Sequence, residues 1–178
     1  RFPEGEPGDT FIGGDGFDTV SYDDAGAGGV TINLKTGEHT GIAKGDSFQN
    51  IERFLGSSRD DTFYGNEQVN NFDGGNARDT VSFALEGSAI TLDLTKPLTG
   101  AAAGDTYTDI ERILGSNYND TFIGNGLGVS FDGGLGVDTV DYSTSSSGVN
   151  VEVRLGSGAV GTGAAGVGGI CDRPAGQS

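Results

Sequence analysis

A single cysteine, Cys171, stands in this chain of 178 residues, so no disulfide can form within it. Its position in a Gly-rich tail reads as an incidental thiol or as one half of an intermolecular bridge. Methionine and tryptophan are absent, aromatics reach only 8% and hydrophobic residues only 34%. That supply excludes a conventional thick core and suits a thin, layered coil with narrow sheets. Basic residues are scarce: 10 Lys and Arg face 26 acidic residues, for a net charge of −16. The deficit excludes a nucleic-acid surface, which needs basic patches, and disfavours adsorption to anionic lipid. No apolar run approaches the length of a membrane span, so membrane insertion is not expected. The chain opens with Arg and carries no signal peptide, which reads as a processed product or a fragment. No Ser-His-Asp set, zinc motif or phosphate loop is present. The only histidine, His39, shares a loop with Lys35, Glu38 and Lys44 and is expected to be solvated.

What is abundant is glycine, 34 residues of it, and it is patterned rather than scattered. In steps of nine the chain repeats small residues, a turn, an Asp and then a large apolar residue. The clearest copies are 13–21 and 133–141, Gly-Gly-Asp-Gly-Phe-Asp-Thr-Val-Ser and Gly-Gly-Leu-Gly-Val-Asp-Thr-Val-Asp. Runs of three stand at 56–82 and 115–141, with a pair at 4–21. The eighth place is apolar in every unit: Phe11, Val20, Phe63, Phe72, Val81, Phe122, Phe131 and Val140. The sixth place is acidic in six: Asp9, Asp18, Asp61, Asp79, Asp120 and Asp138. The exceptions are Asn70 and Val129.

A longer period of 59 residues lies above the nonapeptide. Asn50-Ile51-Glu52-Arg53-Phe54-Leu55-Gly56-Ser57 returns as Asp109-Ile110-Glu111-Arg112-Ile113-Leu114-Gly115-Ser116. Alternating segments follow three of the strands, with Val30, Ile32 and Leu34, then Ile90, Leu92 and Leu94, then Val149, Val151 and Val153. Period two with β-branched residues predicts strands with one wet and one dry face. Gly45-Asp46-Ser47 and Gly104-Asp105-Thr106 then lead into the Ile-Glu-Arg segments, which place Glu52 and Glu111 at sixth places. No helix is predicted. The organisation is therefore a solenoid over 1–155, divided into a partial module 1–50, a module 51–109 and a partial module 110–155, with a Gly/Ala-rich tail at 156–178. Both ends fall inside a repeat, and a solenoid cut there leaves edges to be covered.

Physically, six places make a turn and three make a strand whose inward side chain is the eighth-place residue. Glycine at places one, two and four permits positive φ and close stacking. Two units complete one flattened coil, so turns on one side lie eighteen residues apart. Stacking brings carboxylates and backbone carbonyls together, unfavourable without a cation and suited to Ca²⁺, which takes six to eight oxygens. Of the 26 acidic residues 18 are Asp, concentrated beside glycine, whereas a plain solvated surface would favour Glu at least as much. Asp also favours turns by itself, which is the competing reading. The spacing pairs Asp61 with Asp79 and Asp120 with Asp138, one full site per complete run. Asn70 and Val129 fall on the side where each run offers only one turn.

The tandem Gly-Gly-x-Gly-x-Asp-x-apolar-x register resembles the RTX (repeats-in-toxin) calcium-binding regions of secreted bacterial proteins. The 59-residue module is similar to repeat regions of serralysin-type proteases, mannuronan C5-epimerases and repeat-rich adhesins. The likeness implies an all-β, right-handed parallel β-roll, type I secretion to the exterior or cell surface, and folding in extracellular calcium. Two units depart from the pattern: Asn76-Ala77-Arg78 replaces x-Gly-x, and Glu4 to Gly8 is a poor glycine turn ahead of Asp9.

Candidate acids recur one module apart, Glu52 with Glu111, Asp46 with Asp105 and Asp73 with Asp132, as architecture or ion binding would have them. A catalytic centre is normally unique. The expectation is a non-catalytic calcium-binding module serving as scaffold, spacer or assembly unit. The alternatives are a head-to-tail subunit of a filament or surface layer, and an accessory module of a secreted polysaccharide-modifying enzyme or protease. Expected partners are calcium ions, with end-to-end self-association and a polysaccharide or cell surface as further possibilities. Glu86, Lys96 and Arg154 are module-specific, and nothing in the sequence makes them converge.

Overall fold

The computed structural model describes residues 8–23, 28–125 and 128–143. The predicted third alternating strand, Arg154, Cys171 and the 156–178 tail lie outside the described residues. Within them the chain is almost entirely short parallel strands, each of three residues, as the nonapeptide's last three places require. One sheet pairs β1 (Thr10–Ile12) with β4 (Ser47–Gln49). A second runs β2 (Thr19–Ser21), β5 (Arg53–Leu55), β7 (Asn71–Asp73), β10 (Thr106–Thr108). A third, of five strands, runs β3 (Thr31–Asn33), β6 (Thr62–Tyr64), β8 (Thr80–Ser82), β11 (Arg112–Leu114), β13 (Ser130–Asp132). The fourth holds β9 (Thr91–Asp93), β12 (Thr121–Ile123) and β14 (Thr139–Asp141). The all-β parallel coil expected from the nine-residue period is what the chain forms. Two single 3₁₀ turns, Gly41–Ala43 and Gly100–Ala102, occupy equivalent loops.

Register follows the repeat. Phe63 stands opposite Val81, and Phe122 opposite Val140, so eighth-place residues stack eighteen apart as predicted. The same sheets also accept longer excursions. Thirty to thirty-seven residues separate equivalent positions wherever an alternating segment intervenes. The five-stranded sheet takes β6 and β8 from the run at 56–82, β11 from the following Ile-Glu-Arg segment and β13 from the run at 115–141, which joins successive modules through backbone hydrogen bonds.

Inward residues build one narrow core. Val20, Ile32, Phe54, Phe63, Phe72, Val81, Leu92, Ile113 and Phe122 are buried. Phe63 stacks on Phe72 with ring centres 4.9 Å apart, and Phe122 on Phe131 at the same distance one module later. Each fully buried ring stabilises the coil by about 2–3 kcal/mol, so sparse aromatics at strict spacing suffice for a thin core. The outward rows are polar, with Thr62 beside Thr80 and Thr91, Thr121 and Thr139 in line. Arg53 pairs with Asp73 at 2.6 Å, and Arg112 pairs with Asp132.

His39 corrects an expectation. It is buried rather than solvated: its Nδ1 accepts the Asn33 N–H at 3.0 Å and its ring meets Phe48 edge-on at 4.8 Å. Burial holds its pKa below the ordinary histidine value. Lys35, from the same loop, reaches Glu86 at 2.5 Å, and Lys96 pairs with Asp93.

Candidate metal centre

Most carboxylates just ahead of a strand lie beside the equivalent position of an adjacent coil. Asp79 Oδ1 accepts the Asp61 N–H and Asp138 Oδ1 accepts the Asp120 N–H, both at 2.8 Å. The two pairs predicted from the eighteen-residue spacing are therefore adjacent. The same bond recurs over the longer excursions: Asp46 to the N–H of Asp9, Glu52 to Asp18, Asp61 to Val30, Asp105 to Asn70, Glu111 to Asp79, Asp120 to Ile90. A carboxylate at this place first serves as a backbone acceptor between coils, where an unpaired amide would cost stability.

The second oxygen divides the turns into two kinds. In the Gly-Ser turns, Asp61 Oδ2 accepts the Ser57 N–H at 2.5 Å, while Oδ1 accepts the Ser57 hydroxyl at 2.9 Å and the Val30 N–H at 2.6 Å. Asp120 repeats this set with Ser116 and Ile90. Both Asp61 and Asp120 are buried with each oxygen engaged. Glycine at place one is demanded by space here. A Cβ on Gly56 would lie 2.2 Å from Asp61 Oδ2, and one on Gly115 2.4 Å from Asp120 Oδ2.

In the Gly-Gly turns the chain takes a different path. Places two and four have positive φ: 96° and 124° at Gly14 and Gly16, 88° and 90° at Gly75 and Ala77, 82° and 115° at Gly134 and Gly136. No donor at place two replaces the serine. Asp79 is 0% exposed and its Oδ2 has no hydrogen-bond partner; Asp18 Oδ2 is likewise buried and unpartnered. Burial pushes the Asp79 carboxyl up to about 7, reinforced by the charges of Asp61, Glu111 and Asp60 and opposed by the Asp61 N–H. Burial also raises Asp138, a partly buried residue near the edge of the described region.

Other oxygens crowd the same spots. The point a Gly74 Cβ would occupy lies 2.5 Å from Asp79 Oδ2 and 2.2 Å from the Asp109 carbonyl oxygen. At Gly13 the equivalent distances are 2.6 Å to Asp18 Oδ2 and 2.0 Å to the Asn50 carbonyl oxygen. The Ser57 carbonyl approaches Gly75 from the other neighbouring coil, 3.0 Å from its Cβ position. Among the described residues no three His, Cys, Asp or Glu side chains form a ready metal cluster. Any cation here depends on backbone oxygens beside one or two carboxylates.

One neutral sixth place and one weak unit resolve in other ways. Asn70 is buried: its Oδ1 accepts the Asn66 N–H at 3.0 Å and its amide donates to Asn66 Oδ1 at 3.2 Å. Because the Glu52 N–H bonds the Asp18 carbonyl, Asn70 has no second amide to receive, and a neutral amide closes the turn. Asp9 is exposed and contributes its backbone N–H to Asp46. Asp46 is engaged at both oxygens, the second by the Tyr22 hydroxyl at 2.6 Å. Sequence reasoning missed the role of Ser57 and Ser116, although Gly-Ser against Gly-Gly at places one and two was the signal that separates the turns.

The chain matches no protein-family model, and neither curated proteins nor solved structures provide a match.

Proposed function

We propose that this chain is a non-catalytic, calcium-stabilised repeat module of a secreted or cell-surface protein, similar to the RTX repeats, that acts as a scaffold or spacer. The observation that carries the reading is the unpartnered, fully buried Asp79 Oδ2 beside carbonyl oxygens in a Gly-Gly turn, with Asp18 repeating it. A buried carboxylate with no donor on one oxygen favours a proton or a cation. A hard, oxygen-lined spot at a carboxylate is the ligand type Ca²⁺ takes. Asp18, Asp79 and Asp138 are the ligands the turn geometry favours. Asp61 and Asp120 act mainly as turn-closing acceptors, with Asp9 peripheral.

Bound calcium would supply charge neutralisation at these turns. The net charge of −16 makes the empty chain repel itself and disfavours the compact state. Sites of the extracellular class, with Kd of roughly 10⁻⁴–10⁻³ M, stay empty inside a cell and fill outside it. Export as an open chain followed by closure outside is the consequence.

Circular dichroism during calcium titration into chelator-treated protein tests this, with a cooperative gain of β signal in the millimolar range expected. A spectrum and melting curve identical with and without calcium would refute it.

A further inference from the structure

The cation reading above leaves open what completes each site, and the sequence pairs turns eighteen residues apart. On that side of Asp79, however, the neighbouring turn is a Gly-Ser turn whose carboxylate, Asp61, already receives three hydrogen bonds. The opposite neighbour is of another kind.

Asp18 and Asp79 are both covered, on the coil 34 and 32 residues later, by the same short segment: Asn50-Ile51-Glu52 and Asp109-Ile110-Glu111. Asn50 and Asp109 have φ of 52° and 47°, two of the three non-glycine residues with positive φ among the described residues. Asn and Asp tolerate this left-handed conformation better than most residues, at a cost that must be offset. Here it accompanies a carbonyl oxygen placed at the first glycine of the Gly-Gly turn, beside the orphaned Oδ2. Two residues on, the glutamate carboxylate arrives at the same turn. Glu52 Oε2 accepts the Asp18 N–H and Glu111 Oε2 accepts the Asp79 N–H, each at 2.9 Å. The Gly-Ser turns are not covered in this way: the next coil brings Gly74 and Gly133 carbonyls to Gly56 and Gly115, with Asp79 and Asp138 as the carboxylates.

We propose that the Asx-Ile-Glu segments complete two cation sites at the joins between modules. Asp18 combines with the Asn50 carbonyl and Glu52 in one, and Asp79 with the Asp109 carbonyl and Glu111 in the other. Each takes a hard divalent cation of calcium's size. Two carboxylates and a carbonyl meet the oxygen preference of such an ion, and a cation in place of a proton compensates the second negative charge beside the buried oxygen. The sites link sequence segments from successive modules, so calcium fastens one module to the next.

This rests on the calcium reading, and the experiment separates the two. Calcium binding to the full chain is measured by isothermal titration calorimetry for wild type, Glu52→Gln/Glu111→Gln and the control Glu67→Gln/Glu86→Gln. Glutamine keeps a side-chain oxygen to accept the two N–H bonds and removes only the charge. The expected result is two fewer ions bound by the first double variant, or at least a tenfold weaker affinity for two ions, with the control as wild type. Absence of any calcium binding by wild type overturns both readings. Wild-type binding matched by Glu52→Gln/Glu111→Gln overturns the join sites alone, as does an equal loss in the control. If the double Gln variant does not fold, the single variants are each expected to lose one ion, and an unchanged count in both overturns the proposal.

Discussion

Asparagine at position 61 and asparagine at position 79 should shift stability in opposite directions when calcium is chelated. Asp61 uses both oxygens as acceptors, so an amide must turn its NH₂ toward an N–H donor whichever way it is placed: Ser57 N–H on one side, Val30 N–H on the other. One charge-assisted bond is lost and a buried amide is left facing a donor, a penalty of about 3 kcal/mol. For a chain of this size that lowers Tm by roughly 6–12 °C. Asp79 accepts only at Oδ1, and its orphaned Oδ2 lies beside the Asp109 carbonyl oxygen. There an amide keeps the Asp61 N–H bond, removes an unsolvated charge and donates to a carbonyl. The gain in chelator is about 1–2 kcal/mol. In millimolar calcium the order at 79 reverses, because wild type then gains binding free energy, about 1.4–2.7 kcal/mol for a site 10- to 100-fold saturated. Thermal denaturation followed by circular dichroism, in chelator and in 10 mM calcium, reads all four values. Equal signs for Asp61→Asn and Asp79→Asn in chelator would show that the two turn types are not energetically distinct.

Ala77 holds a φ of 90° at a place where the sister turns have glycine. Ala77→Gly should raise stability by about 1 kcal/mol, seen as a higher melting temperature; an unchanged or lower value refutes the strain. Gly56→Ala should do the reverse, since a Cβ would meet Asp61 Oδ2 at 2.2 Å and the Gly74 carbonyl at 2.7 Å, with a loss of about 3 kcal/mol or more measured by urea unfolding. Phe72→Ala empties a fully buried site stacked on Phe63 and should cost about 3–5 kcal/mol, against less than 1 for the exposed Ile12→Ala. Burial raises Asp105 to about 6 from 3.8 while its Oδ1 accepts the Asn70 N–H. The folded state then holds a proton that the unfolded state has lost, so stability declines as pH rises from about 4 to 6. Asp105→Asn keeps the acceptor and should flatten that part of the stability profile; an identical slope in the variant removes Asp105 as its source.

Much of the architecture was legible because a nine-residue period carries two pieces of information at once. The eighth place of each unit, from Phe11 to Val140, marks a strand centre, and the eighteen-residue step sets Phe63 opposite Val81 and Asp61 beside Asp79. His39 was expected to be solvated because a lone histidine among Lys and Glu has no period to expose its burial. Asn70 illustrates the same limit. Its neutrality follows from where the Glu52 N–H bonds, a fact of the neighbouring coil rather than of its own turn.

The sequence alone determined the parallel coil, its strand centres and the series of carboxylates, because these depend on spacing within a repeat and on one-dimensional periodicity. Tertiary structure decided which carboxylates are satisfied. That depends on donors brought from coils 18 to 37 residues away, and on whether serine or a second glycine stands at place two of each turn. Oδ2 accepts the Ser57 N–H at Asp61 and is a buried, unpartnered oxygen at Asp79, because the folded path of its own turn supplies or withholds the donor, while the adjacent coil engages Oδ1 in both.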